Sequence, residues 1–567
     1  MFRVAQPKVA ATKSSSMFRR ILPIAGFAAT SFYMMTDIKS RYVAGAFRSF
    51  ATADEKYWLI EIENAEALKD GEMMALKVGE KDSDKILVAR YKGKLFALGN
   101  FWTHFGVPLA QSVLFDDKVI CPAHNAAFSI IDGYPEYAPA KDGLPTFEVV
   151  EKDGKSFVKL PKNFNEKRTI YMAKRDEANK TRFVIIGGGA AGLSAAETLR
   201  QSDFTGEIII LSAEDKLGYD RTLLSKVLAT GDVDKLLLRG KEFLDTYGID
   251  FRLNSLVKRV DPSTNEVVLS DDSKVTFDKL LIATGGTARK PIIPGIDLTG
   301  VHTLRNAKDQ EAIKAEVGKG KKVVIVGASF VGFECAASLV STFKTEIDVN
   351  VVDFFSTPFE RALGKDVGKV MQKMGEENGV KFTLSKGVKK LIGVDGKVSG
   401  VELTDGTVLD ADVVIVGAGI QPATQLIGDG IELSNDGSIK VDPFLRTSSK
   451  NIFAAGDVAN YPYWVTGDRA RVEHWNHATQ QGEVAAYNML DKGIPYDSIP
   501  FFWTRNYMKT LQYAGYCREF DEVHIDGSLD EGKFVAYYIK DNKIVAFAGL
   551  NCGPSIHILK EAMKLGT

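Results

Sequence analysis

Two stretches of the chain repeat one design. RFVIIGGGAAGLSAAETLR, from Arg182 to Arg200, and KKVVIVGASFVGFECAASLV, from Lys321 to Val340, each run an apolar strand into a glycine turn and then a helix. The two turns lie 140 residues apart. A continuous apolar strand that turns at once into a helix is half of a βαβ unit, in which helices cover a parallel sheet. Two such units predict an α/β chain with two dinucleotide-binding folds.

In the first fold Gly187, Gly189 and Gly192 form G-x-G-x-x-G. The first glycine makes the tight turn, the second admits a pyrophosphate close to backbone N–H groups, and the third lets helix and strand pack. The next strand, EIIILSAED, carries Glu214 at its end, twenty-two residues after Gly192, where a ribose-binding acid is expected. The second fold has Gly327, Ser329 and Gly332, with serine at the middle position, and its following strand DVNVVD ends at Asp353. A carboxylate there accepts from a ribose 2′-OH and repels a 2′-phosphate, so NAD is favoured over NADP, although Arg361 lies nearby. Three further strands end in glycine: LLIATGG at Gly285, VVIVGAGIQP at Gly419 and NIFAAGDVA at Gly456-Asp457. Singly these are ordinary strand ends. Their order along the chain, GGGAAG, ATGG, GASFVG, GAGIQP, AAGD, carries the information.

The N-terminal part has another character. From Lys56 to Pro161 short β-like runs (YWLIEI, KILVARY, KLFALG, KVIC, SFVKL) alternate with turns such as Lys92-Gly93 and Asp153-Gly154, which predicts a small all-β module. Within it, Cys121-Pro122-Ala123-His124 is half of the ligand set of a Rieske [2Fe–2S] centre, in which each of two loops supplies one Cys and one His. The other loop supplies His104, but Trp102 stands where its Cys belongs. Indole N–H is a donor only and cannot replace a thiolate. The expectation is a Rieske fold whose [2Fe–2S] centre is absent or unstable, with His104, Cys121 and His124 as remnant positions. Three other readings remain open: zinc held by those three side chains and a water, a thiolate from a partner chain, and a cluster with an unusual fourth ligand.

At 567 residues the chain has room for three or four domains, and its net charge of −1 gives no electrostatic reason to expect nucleic acid. Its four cysteines, at 121, 335, 517 and 552, form no Cys-x-x-Cys, so electron chemistry falls to bound cofactors. The first fifty residues carry eight Lys and Arg against one acid, Asp37, the composition of a mitochondrial transit peptide, with the mature chain starting near Ala51. The apolar run Ile21 to Met35 is fifteen residues long and contains Pro23, short of the roughly 18–20 that span a bilayer. It reads as presequence, with a membrane-associated segment as the alternative. Lys162 to Lys180 reads as a linker, and KFVAYYIKDNKIVAFAGL as a hairpin turning at Asp541-Asn542.

With GYDRTLLSK (Gly218 to Lys226), GASFVGFE, RVEHWNHATQQGEVAAYNML and FFWTRNYMKTLQYAGY added, the chain resembles the flavoprotein reductases that include putidaredoxin-type ferredoxin reductases. The resemblance runs from about residue 56 to the end and is strongest to their Rieske-bearing, apoptosis-inducing-factor-like branch. With the transit peptide (1–50) and linker (162–180) read from composition, it implies a Rieske-like β domain (51–161), an FAD domain (181–305 and 431–495), an NAD domain (306–430) and a C-terminal α+β interface domain (496–567). It also implies FAD in the first fold, NADH in the second and hydride transfer between them. Carried over by position, Glu214 would bind the FAD ribose, Arg221 and Lys226 would line its pyrophosphate and ring, Val257 would meet the adenine, and Asp457 would hold the ribityl chain. Phe330 would cover the nicotinamide, Lys226 and Glu334 would form an ion pair beside flavin N5, and Trp475 and Trp503 would wall the flavin. Electrons delivered to N5 add negative charge there, so a fixed cation such as Lys226 stabilises what forms.

Two functions compete. One is a mitochondrial NADH oxidoreductase passing electrons from FAD to an unidentified acceptor. The other is a redox-sensing or structural flavoprotein, as a homodimer or a subunit of a mitochondrial complex, with little turnover.

Overall fold

The computed structural model describes residues 49–51, 56–81, 83–103, 106–121, 125–165 and 167–566. Residues 1–48, which include the run Ile21 to Met35 and most of the expected presequence, lie outside them, as do His104 and His124. The chain forms two compact units, one running up to Tyr171 and including the C-terminal stretch from Cys552, the other Met172–Asn551.

The first unit contains a seven-stranded antiparallel sheet ordered Ser49–Ala51, Tyr57–Glu61, Lys155–Pro161, Thr146–Lys152, Lys94–Gly99, Lys85–Tyr91 and Met73–Lys77. Its two tight hairpins turn at Lys92-Gly93 and Asp153-Gly154, where all four residues have φ between 48° and 76°. Left-handed backbone at both central positions matches the right-handed twist of the flanking strands. The strand KILVARY is apolar without alternation because it is covered on both sides. Ile86 and Val88 pack with Ile60 and Val158, while Leu87 and Ala89 pack with Leu98, Trp102, Cys121 and Phe128. A second sheet of four short strands, Val113–Phe115, Lys118–Ile120, Ala127–Ser129 and Pro135–Tyr137, borders the Cys121 loop.

The helix Ser555–Lys564 belongs to this first unit. His557 Nδ1 lies 2.9 Å from Asn125 Oδ1, and the buried Lys560 ammonium is 3.1 Å from Glu561 and 4.7 Å from the centre of the Tyr137 ring.

The second unit holds both βαβ folds and the C-terminal sheet. Five parallel strands run in the order Ile249–Arg252, Glu207–Leu211, Arg182–Ile186, Lys279–Ile282, Ile452–Ala454, and the helices Ala190–Gln201 and Trp475–Met489 pack against each other beside this sheet. The second parallel sheet runs Val301–Thr303, Val413–Val416, Lys322–Val326, Asp348–Val352, Lys381–Thr383. In each, the strand that leads into the glycine turn is central, with later strands placed on either side, so the sheet opens a crevice at its carboxyl edge. A further five-stranded sheet is antiparallel: Phe501–Asn506, Lys509–Gly515, Lys543–Leu550, Lys533–Lys540, Glu522–Ser528. Its last hairpin turns at Asp541-Asn542, as the sequence implied. The expected fold class, an all-β module joined to two dinucleotide folds and a C-terminal sheet, is thus observed. No helix among the described residues is long and apolar enough to cross a membrane.

The glycine turns fix how closely helix and strand approach. Gly187 has φ +109°, and a Cβ at Gly192 would overlap the Gly187 carbonyl; Gly327, at φ +107°, and Gly332 repeat the arrangement. G192A and G332A must push helix from strand, and overpacking of this kind costs about 1–3 kcal/mol. Urea unfolding of each variant should show a midpoint lowered accordingly, and an unchanged midpoint would mean the helix has room that the backbone geometry denies it.

Candidate functional site

The carboxyl edge of the first sheet opens into a cavity of about 1060 Å³, above the few hundred to roughly 1,000 Å³ of most small-ligand sites. At one end lies the glycine turn. Gly189 borders open space, since a Cβ there would meet nothing within 4 Å, and the helix Ala190–Gln201 starts from it. Free N–H groups and a positive helix end thus face the cavity, which suits a pyrophosphate.

Glu214, after the strand Glu207–Leu211, sits beside that turn. It accepts a hydrogen bond from Tyr219 Oη at 2.6 Å and pairs with Arg221, whose guanidinium also donates to the Arg305 carbonyl at 3.0 Å. Arg305 in turn lies 2.9 Å from Asp457. A ribose hydroxyl reaching Glu214 has to share its carboxylate with two protein donors.

At the other end Lys226 and Glu334 form an ion pair of 2.9 Å. Lys226 follows the turn Arg221–Leu223, and Glu334 occupies the first turns of the second fold's helix Phe330–Phe343, where the helix dipole favours an anion. The Glu334 side chain is only 7% exposed and that of Lys226 17%. Burial of this carboxylate is tolerated because three donors meet it: Lys226, Ser225 Oγ at 2.5 Å and Thr504 Oγ1 at 2.6 Å. Lys226 Nζ also donates to the Thr222 carbonyl at 2.8 Å. Phe330 lies beside this pair, its ring centre 4.7 Å from that of Phe502.

Of the residues singled out in the sequence, Gly187, Gly189, Glu214, Arg221, Lys226, Val257, Gly285, Phe330, Glu334, Gly456, Asp457, Trp475 and Trp503 all line the one cavity. Gly192 sits beneath it as a packing position. Gly327, Ser329, Gly332, Asp353 and Gly419 are not among its lining residues. Asp353 closes the second glycine turn, its carboxylate accepting from Ala328 N at 2.6 Å and Phe355 N at 2.9 Å.

Sequence reasoning missed Ser225, Thr504 and His474. All three lie within quoted motifs, but nothing local shows that the first two converge on Glu334. His474 lines the cavity with no partner for Nδ1 among the described residues, and burial pushes its imidazole down to about 3. Burial also holds His477 far below the usual range, its Nδ1 lying 2.9 Å from Tyr496 Oη.

In the β module, Trp102 and Cys121 are both buried in one apolar cluster, 1% and 0% exposed. Among the described residues no three His, Cys, Asp or Glu side chains are placed to hold a metal.

These arrangements meet known proteins at three places. Residues 58–148 match the Rieske [2Fe-2S] domain, residues 181–482 the pyridine nucleotide-disulphide oxidoreductase family and residues 501–567 the reductase C-terminal domain. The chain belongs to the pyridine nucleotide-disulphide oxidoreductase family. This oxidoreductase is 37% identical to apoptosis-inducing factor 3 of Homo sapiens over 508 residues, 88% of this chain and 83% of that protein. It is 34% identical to the rhodocoxin reductase of Rhodococcus erythropolis over 371 residues, 65% of this chain and 86% of that one. Among solved structures it is similar to putidaredoxin reductase in its covalent complex with putidaredoxin, with a TM-score of 0.64 and 25% identity across 68% of this chain and 93% of that one. The expected kinship with Rieske-bearing, apoptosis-inducing-factor-like reductases holds, and the oxidoreductase is an FAD- and NAD(P)-dependent enzyme of the ferredoxin-reductase type.

The buried histidines give the family fold a pH signature. Native His474 and His477 stay neutral, whereas unfolded histidines titrate at about 6.5. Below that pH the unfolded chain binds protons that the native chain does not, so stability falls as pH falls, by up to about 1.4 kcal/mol per pH unit for each histidine. Urea unfolding of the apo-protein between pH 7 and 5 should show this decline, lessened in H474N. Equal slopes for H474N and the unchanged chain would show that His474 takes up protons while folded.

Proposed function

We propose that the chain is a mitochondrial NADH oxidoreductase whose electrons leave from FAD to an outside acceptor without passing through the β module. The observation that carries this reading is the buried Lys226–Glu334 pair, 2.9 Å apart and lining the same cavity as Phe330 and the glycine turn. The basic, acid-poor first fifty residues support the compartment.

FAD fits the cavity: the open Gly189 turn suits its pyrophosphate, Glu214 and Arg221 its ribose and phosphates, and Lys226, Trp475 and Trp503 its ring. Bound there, FAD supplies the chemistry that links a two-electron nicotinamide donor to an acceptor. The chain's own residues do the rest. Lys226 holds a fixed positive charge where negative charge develops, and Glu334 keeps that ammonium in place. Phe330 offers an aromatic face to the nicotinamide, and His474, being neutral, adds no second positive charge at this end of the cavity. Asp353 favours the ribose of NAD over a 2′-phosphate.

A [2Fe–2S] centre does not fit the residues at the β-module loops. Trp102 occupies the place of a thiolate, is buried in the apolar core, and offers no lone pair to iron. The acceptor is then a quinone, oxygen or a diffusible electron-carrier protein, and the solved complex of putidaredoxin reductase with putidaredoxin supports the last class. Trp102 also favours a second reading, in which the flavoprotein senses NADH or serves as a subunit of a complex and turns over little.

Anaerobic mixing with NADH, followed by quinone, ferricyanide or a ferredoxin, separates the two. Rapid bleaching of flavin absorbance and rapid recovery supports the enzyme; bleaching that persists with every acceptor supports the sensor. K226A should slow bleaching at least tenfold while FAD stays bound, and equal rates would remove Lys226 from the reaction. Iron and sulfide analysis should find far less than two irons per chain. W102C restores a thiolate while leaving a cavity that costs about 3 kcal/mol. Iron uptake by W102C alone agrees with the reading; two irons per unaltered chain contradict it.

A further inference from the structure

We infer that Thr504, on the C-terminal sheet, is a positioning residue for the ion pair at the flavin end of the cavity. Its hydroxyl aims the Glu334 carboxylate and, through it, the Lys226 ammonium. The inference rests on the reading of Lys226 given above and adds to it the means by which the third folding element of the reductase controls the pair.

Three segments distant in sequence meet at one carboxylate. Lys226 and Ser225 come from the first fold, Glu334 from the first turns of a helix in the second, and Thr504 from the strand Phe501–Asn506. Thr504 Oγ1 donates to Glu334 Oε1 at 2.6 Å, the same oxygen that faces Lys226 Nζ at 2.9 Å. Ser225 Oγ donates to the opposite oxygen. Thr504 is 1% exposed and Glu334 6%, so no bulk water competes for these contacts.

The direction of the Thr504 hydrogen bond is set by its neighbour. Asn506 Nδ2 donates to Thr504 Oγ1 at 3.0 Å, and Asn506 is itself 4% exposed. A hydroxyl has one proton and two lone pairs. With a lone pair occupied by the amide, its proton points to the carboxylate, and the chain Asn506, Thr504, Glu334 is polarised toward the anion. A hydrogen bond to a buried charged group is stronger than a neutral one.

The consequence concerns Lys226. Its ammonium has three donors, of which Glu334 and the Thr222 carbonyl take two, leaving the third for the cavity that Lys226 lines. A carboxylate held from one side only could rotate, and the ammonium would follow it. Held on both oxygens by Thr504 and Ser225, Glu334 keeps that third N–H directed at the flavin site. Thr504 also follows Phe502 and Trp503, both cavity residues, so the strand that walls the cavity sets the pair within it.

The test is T504V, which keeps side-chain shape and removes the hydroxyl. In the FAD-loaded full chain, the limiting rate of flavin reduction by NADH should fall about tenfold, the scale expected for losing one partner of an oriented polar group. FAD retention and the NADH dissociation constant should change less than twofold. The midpoint potential of the bound flavin should become more negative by about 30 mV, the two-electron equivalent of a tenfold change. T504S should restore both rate and potential, which a purely structural role for the methyl group would not allow. If T504V fails to retain FAD, N506L, which leaves the hydroxyl in place without its directing amide, carries the same two measurements. Unaltered rate and potential in these variants, with K226A still slow, would overturn the inference and leave the role of Lys226 standing. An unaltered K226A would remove both together.

Discussion

The close approach of a helix to a strand at a glycine is the constraint from which the reductase site follows. Where the Gly187 carbonyl fills the space a side chain at 192 would need, the helix Ala190–Gln201 can begin only at one height and angle above the sheet. Its free N–H groups then face the crevice at the sheet's carboxyl edge, and the ends of the neighbouring strands bring Glu214, Gly285 and Asp457 to the same edge. The second fold repeats the contact at Gly327 and Gly332, which orients the helix that carries Phe330 and Glu334. A methyl group at either position would displace an entire face of the cavity.

What the crevice does with charge is the second step. Most ion pairs of this chain are partly solvated and contribute little. The Lys226–Glu334 pair differs because its carboxylate is enclosed, and an enclosed carboxylate is stable only with its oxygens occupied. Supplying the occupants takes three segments of chain. The cost of burying Glu334 therefore becomes a device for alignment, since the donors that stabilise the anion also fix where the cation stands. Glu214 shows the contrasting case of a partly exposed carboxylate held by Tyr219 and Arg221.

Features set by neighbours in sequence were legible in it. Gly187, Gly192, Gly327 and Gly332 announce their folds because the strand–turn–helix contact involves residues at most five apart, and the turns at Lys92-Gly93, Asp153-Gly154 and Asp541-Asn542 do so because backbone with positive φ selects those residues. Contacts closed over long separations were not. Thr504 reads as an ordinary strand residue until the sheet brings it to Glu334, 170 positions away. His474 reads as a helix-flanking polar residue until burial makes it neutral. Asp353 was legible as a strand-end acid, but its bonds to the backbone of its own turn are a matter of side-chain length and direction that spacing does not encode. Nor does any pattern reveal that the helix Ser555–Lys564 packs with the β module at Asn125 and Tyr137, since its apolar periodicity would serve against either unit.

The β module rests on a different device, a strand covered on both faces. Its central strand Lys85–Tyr91 feeds alternate side chains into two separate apolar clusters, one on each face. Trp102 and Cys121 belong to one of these clusters, where burying an indole contributes several kcal/mol through its large apolar surface. The volume around these two residues is filled by apolar side chains of the module itself. The helix Ser555–Lys564 adds a polar clasp, with His557 on Asn125 and the buried Lys560–Glu561 pair against Tyr137. Packing and clasp together account for how the module holds its fold through contacts within its own unit.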